Sequence, residues 1–285
     1  MSSPVTTRRR LFAGVAVAVA LLGPAACSTS GEEGADASTT TAAAETTTAA
    51  PTTESRELTI LVTNDDGVAA PGINTVVEAL RALPDTTVIV AAPAQNQSGS
   101  GGRTTPGGAP ASPATTSGGY EATAVAGFPA DSVNWALDGG VAERPDLVVS
   151  GINSGQNIGK LVDVSGTVGA ARAAAARGIP ALAASSGLAD APDFDTAAEL
   201  VVAWVQEHRA ELLAGGAEAT VENLNVPTCT AGEVKDVLEV PVDTVSDVPI
   251  VPTDCSASGP TPALDVAAFN AGYAPLSVLS VQPGG

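Results

Sequence analysis

The chain of 285 residues is short of nearly everything that nucleic-acid binding and soft-metal chemistry require. It has one histidine, His208, three cysteines with no Cys-x-x-Cys spacing, and an aromatic content of only 3%. Few aromatics mean no stacking platform for single-stranded nucleic acid, and without clustered thiols or imidazoles there is no zinc or copper site. Positive charge is scarce as well: 12 Lys and Arg face 31 Asp and Glu, for a formal net charge of −19. Such a surface repels a phosphate backbone, which excludes polymeric nucleic acid as a partner. A small phosphorylated ligand stays open, because one bound metal ion inverts the field inside a site. Several catalytic signatures are missing too. No G-x-S-x-G elbow, Walker loop or G-x-G-x-x-G follows a strand, and Gly99-Ser-Gly-Gly102 is loop composition only. A Ser-His-Asp triad would have to use His208, which falls on the apolar stripe Ala197, Leu200, Val201, Trp204, Val205 of a helix that Thr196 and Glu199 could open as a capping box. His208 is therefore read as structural.

What is present begins with an address. Residues 1–10 are basic and residues 11–23 apolar, a run shorter than the roughly 20 residues that span a bilayer, followed by Ala25-Ala-Cys27. This is an export signal over residues 1–26. The segment Leu22-Gly-Pro-Ala-Ala-Cys27 resembles a bacterial lipobox, with Pro24 an unusual residue at its −3 position. That resemblance implies cleavage before Cys27, lipid attachment to its thiol, and anchorage on the outer face of the cytoplasmic membrane. Ordinary signal cleavage would instead release a secreted protein with a free Cys27. Thr7-Arg-Arg-Arg-Leu-Phe12 resembles a twin-arginine signal, so the export route stays open between that and the general one. Residues 27–56 are nearly all Ser, Thr, Ala, Gly and Glu and cannot bury enough apolar surface to offset ordering, so a disordered tether is expected. With Cys27 acylated, Cys229 and Cys255 are left to pair as a disulfide in an oxidising compartment.

From residue 57 to 285, strand and helix patterns alternate. Strands are predicted at 58–63, 87–92, 121–126, 146–150, 179–184 and 219–226. Helices are predicted around Ile73 to Leu80, at 130–137, at 166–177 and around His208, with 93–119 a long polar loop. This order predicts an α/β, Rossmann-like, mainly parallel sheet with helices on both faces. The run Leu58-Thr-Ile-Leu-Val-Thr-Asn-Asp-Asp-Gly67 puts two adjacent carboxylates at the carboxyl end of the first strand. Two readings fit it: a strand-end turn, which Asn, Asp and Gly favour for backbone reasons, or a cation site that offsets the repulsion of Asp65 and Asp66. The other polar clusters, Asn96-Gln-Ser-Gly99, Ser150-Gly-Ile-Asn-Ser-Gly155 and Ser185-Ser-Gly187, also follow strands, and parallel strands bring all of them to one edge, where open α/β sheets bind ligands. Carboxylates with hydroxyl and amide oxygens suit magnesium, manganese or calcium. Ser165-Gly-Thr167 stands before the Ala-rich helix, either as an ordinary N-cap or as a phosphate seat on the helix N-terminus.

Taken in order, Thr63-Asn-Asp-Asp-Gly-Val68 with Ala70-Pro-Gly-Ile73, Ala91-Ala-Pro93 with Asn96-Gln-Ser-Gly99, Gly127-Phe-Pro-Ala-Asp-Ser132, Arg144-Pro-Asp-Leu-Val-Val-Ser-Gly-Ile-Asn-Ser-Gly155 with Asn157, Ser165-Gly-Thr-Val168 and Asn223-Leu-Asn-Val-Pro227 resemble the SurE family of stationary-phase survival proteins. The resemblance implies a metal-dependent phosphatase, a 5′/3′-nucleotidase that hydrolyses nucleoside monophosphates by metal-assisted attack of water. It implies one divalent cation on Asp65, Asp66, Ser98 and Asn153, with Asn64, Ser165, Gly166 and Thr167 at the phosphate. It also implies a β-rich C-terminal arm from about residue 228 that pairs subunits into a homodimer or homotetramer. Lys160, Val164 and Ala173 depart from the family pattern, where acidic, aromatic and acidic residues are usual. The rival reading is a solute-binding lipoprotein without turnover, which predicts two lobes joined by crossover strands.

Overall fold

In the computed structural model, residues 56–248 and 253–283 are described; the expected signal peptide, Cys27 and the tether up to residue 55 lie outside them. The first strand, β1 (Leu58–Thr63), is fully buried along its length. Its alternating residues serve both sides of the sheet: Leu58, Ile60 and Val62 join one hydrophobic cluster and Leu61 the other. A continuous apolar run with this two-sided burial is the mark of a central parallel strand. Helix α1 (Pro71–Arg81) follows, with proline at its start and Ile73, Val76, Val77 and Leu80 buried at helical spacing.

The chain continues through β2 (Thr86–Pro93), β3 (Ala111–Thr115), β4 (Glu121–Val125), α2 (Pro129–Trp135) running into one π-helical turn, β5 (Leu147–Ser154), a 3-10 turn, α3 (Gly166–Ala176), β6 (Ala181–Ser186), α4 (Phe194–Ala214) and β7 (Val221–Val226). The remainder forms β8 (Cys229–Ala231), β9 (Val237–Glu239), β10 (Thr253–Asp254), α5 (Asp265–Asn270) and β11 (Ala274–Leu279). Nine strands make one sheet in the order β3-β4-β2-β1-β5-β6-β7-β11-β9, and β8 pairs with β10 separately. The pairs from β4 through β2, β1, β5 and β6 to β7 are all parallel. Helices α1 and α4 cover the face of Ile60, where Val76, Val201 and Trp204 are buried. On the face of Leu61, α2 and α3 pack through Val133 and a row of alanines, Ala170, Ala171 and Ala174. The predicted α/β architecture with helices on both faces is what the structure has. Nothing among the described residues resembles two lobes, and no helix there is long and apolar enough to cross a membrane.

Several local expectations change. The polar stretch 93–119 contains β3, an exposed edge strand antiparallel to β4. Helix α4 begins at Phe194 on an Asp193 cap, whose carboxylate accepts from the Thr196 N–H at 3.0 Å and from its hydroxyl at 2.7 Å. Thr196 is thus a donor to the cap and not itself the cap. His208 stacks on Trp204 with ring centroids 4.1 Å apart and bonds the Trp204 carbonyl, the structural role expected of it. The β-rich segment expected from about residue 228 is present: β11 lies antiparallel to β7 and carries β9 as a parallel neighbour, extending the central sheet, while β8 pairs with β10 apart from it.

Cys229 and Cys255 are joined, with Cα atoms 5.5 Å apart and a sequence separation of 26, clipping β8 to the end of β10. Closing a loop of that length restricts the unfolded chain by about 3 kcal/mol. Replacing both cysteines by serine is therefore expected to lower the unfolding free energy by about that amount, measured as a shift of the urea midpoint at constant slope. Reductant should shift the midpoint of the wild type and leave that of the double variant in place.

Candidate active site

Where β1 ends, Asn64 closes the turn on itself. Its amide donates to the Gly67 carbonyl at 2.9 Å and its oxygen accepts from the Gly67 N–H at 3.2 Å. Gly67 has φ of +105°, and a Cβ there would stand 3.2 Å from the Gln95 carbonyl carbon, so this turn admits only glycine. The loop after β2 is stitched to the same turn, with Val68 N–H donating to Pro93 O at 2.8 Å and Gln97 N–H to Asp65 O at 2.7 Å. Asp65 and Asp66 are thereby presented on a rigid frame.

The two carboxylates face different supports. Asp65 is 3% exposed, and its Oδ1 accepts from Thr167 Oγ1 at 2.7 Å across 102 residues of sequence. Asp66 accepts from Asn96 Nδ2 at 3.1 Å and from the Ser154 N–H at 3.0 Å. Burial, above all, pushes the Asp65 carboxyl up to about 6, with the neighbouring Asp66 charge adding to the shift and the Thr167 hydroxyl opposing it. Burial raises Asp66 too, against the hydrogen bonds from Ser154 and Asn96. Among the described residues neither carboxylate has an ion-pair partner.

Thr167 is itself held. Asn157 Nδ2 lies 3.5 Å from its hydroxyl oxygen and donates to Ser185 Oγ at 2.9 Å. The Asn157 peptide is clamped from β7: its N–H donates to Asn225 Oδ1 at 2.7 Å, and its carbonyl accepts from Asn223 Nδ2 at 2.8 Å and Asn225 Nδ2 at 3.3 Å. All of these groups are buried. A chain of hydrogen bonds thus runs from β7 through Asn157 and Thr167 to Asp65.

Of the other expected site residues, Ser165 is the N-cap of α3, its Oγ accepting from Val168 N–H at 3.1 Å. Its Oγ thus caps the helix as an acceptor, which leaves its O–H to donate, and the Asn64 side chain braces the Gly67 turn. Gly166 lies directly against Asp65: a Cβ there would be 2.8 Å from Asp65 Cβ. Asn153 is buried, just past a register shift in the β5–β6 pairing that lies between Ser150 and Asn153. Ser98 sits on the exposed part of its loop, its N–H held by Asn96 Oδ1 at 2.9 Å. Lys160 pairs with Asp247, Val164 is exposed and Ala173 packs in the second core, so none of these three touches the carboxylates.

Sequence reasoning missed Ser100, Asn96, the Ser154 N–H and the asparagine clamp. Ser100 is 6% exposed, its hydroxyl has no hydrogen-bond partner, and it lies 2.8 Å from where a Gly166 Cβ would stand, on the same spot that Asp65 approaches. Nothing in the loop composition announces it. Asn223 and Asn225 did carry a signal, because two amides at a spacing of two on a strand share one face.

The donor set fits a hard divalent cation. No group of three or more His, Cys, Asp or Glu that could hold a metal occurs among the described residues, so two carboxylates, neutral oxygens and water would complete the shell. Two adjacent carboxylates, one buried and one half-buried, with no ion-pair partner among the described residues and beside a helix N-terminus, can hold a cation on one side of a phosphate and offer N–H groups on the other.

Comparison with known proteins gives a consistent answer. The family model for survival protein SurE matches residues 60–244. The chain is 41% identical over 177 residues to the 5′-nucleotidase SurE of Pelobacter propionicus, covering 62% of this chain and 68% of that one. It is 39% identical over 180 residues to the 5′-nucleotidase SurE of Gloeobacter violaceus, covering 62% and 67%. The crystal structure of the SurE protein from Aquifex aeolicus superposes with a TM-score of 0.63 at 27% identity, over 80% of this chain and 95% of that one.

In the metal-free protein the raised Asp65 carboxyl binds its proton more tightly folded than unfolded, so its contribution to stability is full below pH ~4 and is lost as pH rises through about 6. The loss is on the order of 3 kcal/mol. Asp65→Asn should flatten that part of the stability profile, and manganese should stabilise the wild type more at pH 7.5 than at pH 5, since the cation must displace the proton. Thermal unfolding at the two pH values, with and without metal, reads both effects.

Proposed function

The chain belongs to the SurE family, and from that premise we propose that it is a metal-dependent phosphomonoesterase that hydrolyses nucleoside 5′- and 3′-monophosphates to nucleoside and phosphate. The observation that carries the reading is the pair Asp65 and Asp66, the first buried and the second half-buried, neither with an ion-pair partner among the described residues, with Asp65 tied through Thr167 to the N-terminus of α3.

Asp65, Asp66, Ser98 and Asn153 hold one divalent cation, magnesium or manganese before calcium. When bound, the cation neutralises phosphoryl charge and gives a site where water ionises more readily. Everything else is positioning. Asn96 and the Ser154 N–H fix the Asp66 carboxylate, while Thr167 orients Asp65 from the first turn of α3. The N–H of Gly166, at the start of that turn, would take a phosphoryl oxygen and stabilise the charge that grows there during attack, while the Thr167 N–H supports the Asp65 carboxylate. Phosphate is thus held by backbone dipoles, and the Asn157 clamp keeps the helix end and Asp65 in register.

The enzyme is further proposed to be exported and anchored through Cys27, with residues 27–56 as a tether and residues 57–285 as the phosphatase domain. The Cys229–Cys255 bridge agrees with an oxidising compartment. Subunit pairing into a dimer or tetramer is proposed on the family resemblance.

A panel of metals and phosphate esters tests the activity. Phosphate release from nucleoside monophosphates should need magnesium or manganese, stop with chelator and return on adding metal. Asp65→Asn and Asp66→Asn should each lower kcat/KM by at least about 100-fold, as expected when a ligand of an essential metal loses its charge. Tight nucleotide binding with no release under any metal would mean a receptor and not an enzyme.

A further inference from the structure

On the sheet face that α2 and α3 cover, a cavity of about 620 Å³ opens between α2, the turn after it and the loop of Thr104 and Thr105, and none of the candidate active-site residues lines it. That volume falls within the range of about 300–1,000 Å³ typical of small-molecule sites. Arg177, in its wall, caps the far end of α3 and so stands about 16 Å along the helix axis from Gly166. The walls are fixed. Asp131 on α2 accepts from the Thr105 N–H at 2.9 Å, the Thr105 hydroxyl at 2.7 Å and the Phe128 N–H at 2.8 Å, which ties the loop to the helix. Helix α2 then runs into the π-helical turn Ala136–Gly140, a form often met at functional sites. There Gly140 backs the Trp135 indole, since a Cβ on it would stand 2.6 Å from two of the ring carbons. Gly108, Gly139 and Gly140 line the cavity and put no side chain into it.

Arg177 sets the polar groups of this cavity. Its Nη2 donates to Asp138 Oδ1 at 2.6 Å and its Nη1 to Asn134 Oδ1 at 3.3 Å. One guanidinium thus holds both side chains by a single oxygen each, leaving Asp138 Oδ2 as an acceptor and Asn134 Nδ2 as a donor with no partner among the described residues. The indole N–H of the half-buried Trp135 and the hydroxyl of the exposed Thr104, both in the lining, have none there either. We propose that this cavity binds a neutral saccharide. A pyranose presents apolar C–H bonds on one face, which the negative face of an indole attracts, and a rim of hydroxyls that each donate and accept. One indole ringed by a carboxylate oxygen, an amide, a hydroxyl and its own N–H matches that division. A nucleobase would bury both of its faces, yet Ala109 is the only other apolar side chain in the lining. An anion is disfavoured, because two carboxylates stand against one guanidinium that is already paired. The proposal depends neither on the nucleotidase reading nor on its metal.

Tryptophan fluorescence of the purified full chain reads the site through Trp135, because the other tryptophan, Trp204, is buried and bonded to Glu222. The probes are maltose, cellobiose, lactose and N,N′-diacetylchitobiose, which vary linkage, ring hydroxyls and N-acetyl groups, with glucose, glucose 6-phosphate and adenosine as contrasts. At least one disaccharide should change the emission saturably in the millimolar range, and glucose 6-phosphate should bind more weakly than glucose. By titration calorimetry, Trp135→Ala should abolish binding of that disaccharide, and Asn134→Ala and Asp138→Ala should each weaken it about 10-fold, the effect of losing one hydrogen bond. Circular dichroism identifies a variant that has merely lost its fold, and Asp138→Ala, on an exposed side chain, keeps the test independent of the Trp135 variant. No saturable response to any sugar at tens of millimolar, adenosine binding without sugar binding, tighter binding of glucose 6-phosphate than of glucose, or sugar binding untouched by Trp135→Ala and Asp138→Ala overturns the saccharide site.

Discussion

The placement of two neighbouring carboxylates at the end of the central strand, Asp65 buried and Asp66 half-buried, with no ion-pair partner among the described residues, is the constraint around which the molecule is arranged. Burial and mutual repulsion both disfavour the ionised pair, and a desolvated carboxylate costs several kcal/mol when unpaired. What offsets this comes from three other places in the chain. Thr167 arrives on α3, Asn96 on the loop after β2 and the Ser154 N–H at the end of β5. Hydrogen bonds to a charged group contribute about 1.5–3 kcal/mol each, enough to hold the turn together, and burial still leaves the Asp65 carboxyl raised.

Sheet order explains how residues so distant in sequence meet. With β2, β1, β5, β6 and β7 parallel, every one of their following loops emerges at the same edge. Asn157 and Asn225 can then touch across 68 residues, and Thr167 can reach Asp65 across 102. The Asn157 peptide is bonded through both its N–H and its carbonyl, which rigidifies the site as a paired buried polar chain does, while Asn223 Oδ1 is left without a partner.

How much of this could be read in the sequence follows from where the signal is physical. β1, α1 and α3 were legible because burial imposes a period or a continuous apolar run on them. β3 was not, because it is an exposed edge strand with Pro113 in it and has no buried face to pattern. The start of α4 was misplaced by a few residues because Asp193 and Thr196 are both good cap formers, and only geometry shows which one accepts. The convergence of Asp65, Asp66, Gly166 and Thr167 was legible from the choice of strand ends. The division of labour among their neighbours was not: Ser165 also caps α3 by accepting from Val168 N–H, and Asn64 also closes the turn on Gly67. Ser100 lay outside any pattern, since a hydroxyl in a glycine-rich loop gains meaning only from what the loop is folded against.

A chain with formal net charge −19 that takes a phosphate monoester has to reverse its own field locally. On the reading proposed above it would do so without Lys or Arg beside the carboxylates, through a helix end and the cation that the two acids would attract. Both sources act over short distances: helix-end effects fall off within a turn, and surface charges are screened beyond about 8–10 Å. The reversed field therefore covers one phosphate and little more. Beyond it lie an apolar cavity whose one charge is Asp66 and an acidic surface, neither of which welcomes a second phosphate. The same scarcity of positive charge that excludes a nucleic-acid polymer thus favours a small ester whose far end is neutral, and the selectivity of the site follows from what surrounds the two aspartates as much as from the aspartates themselves.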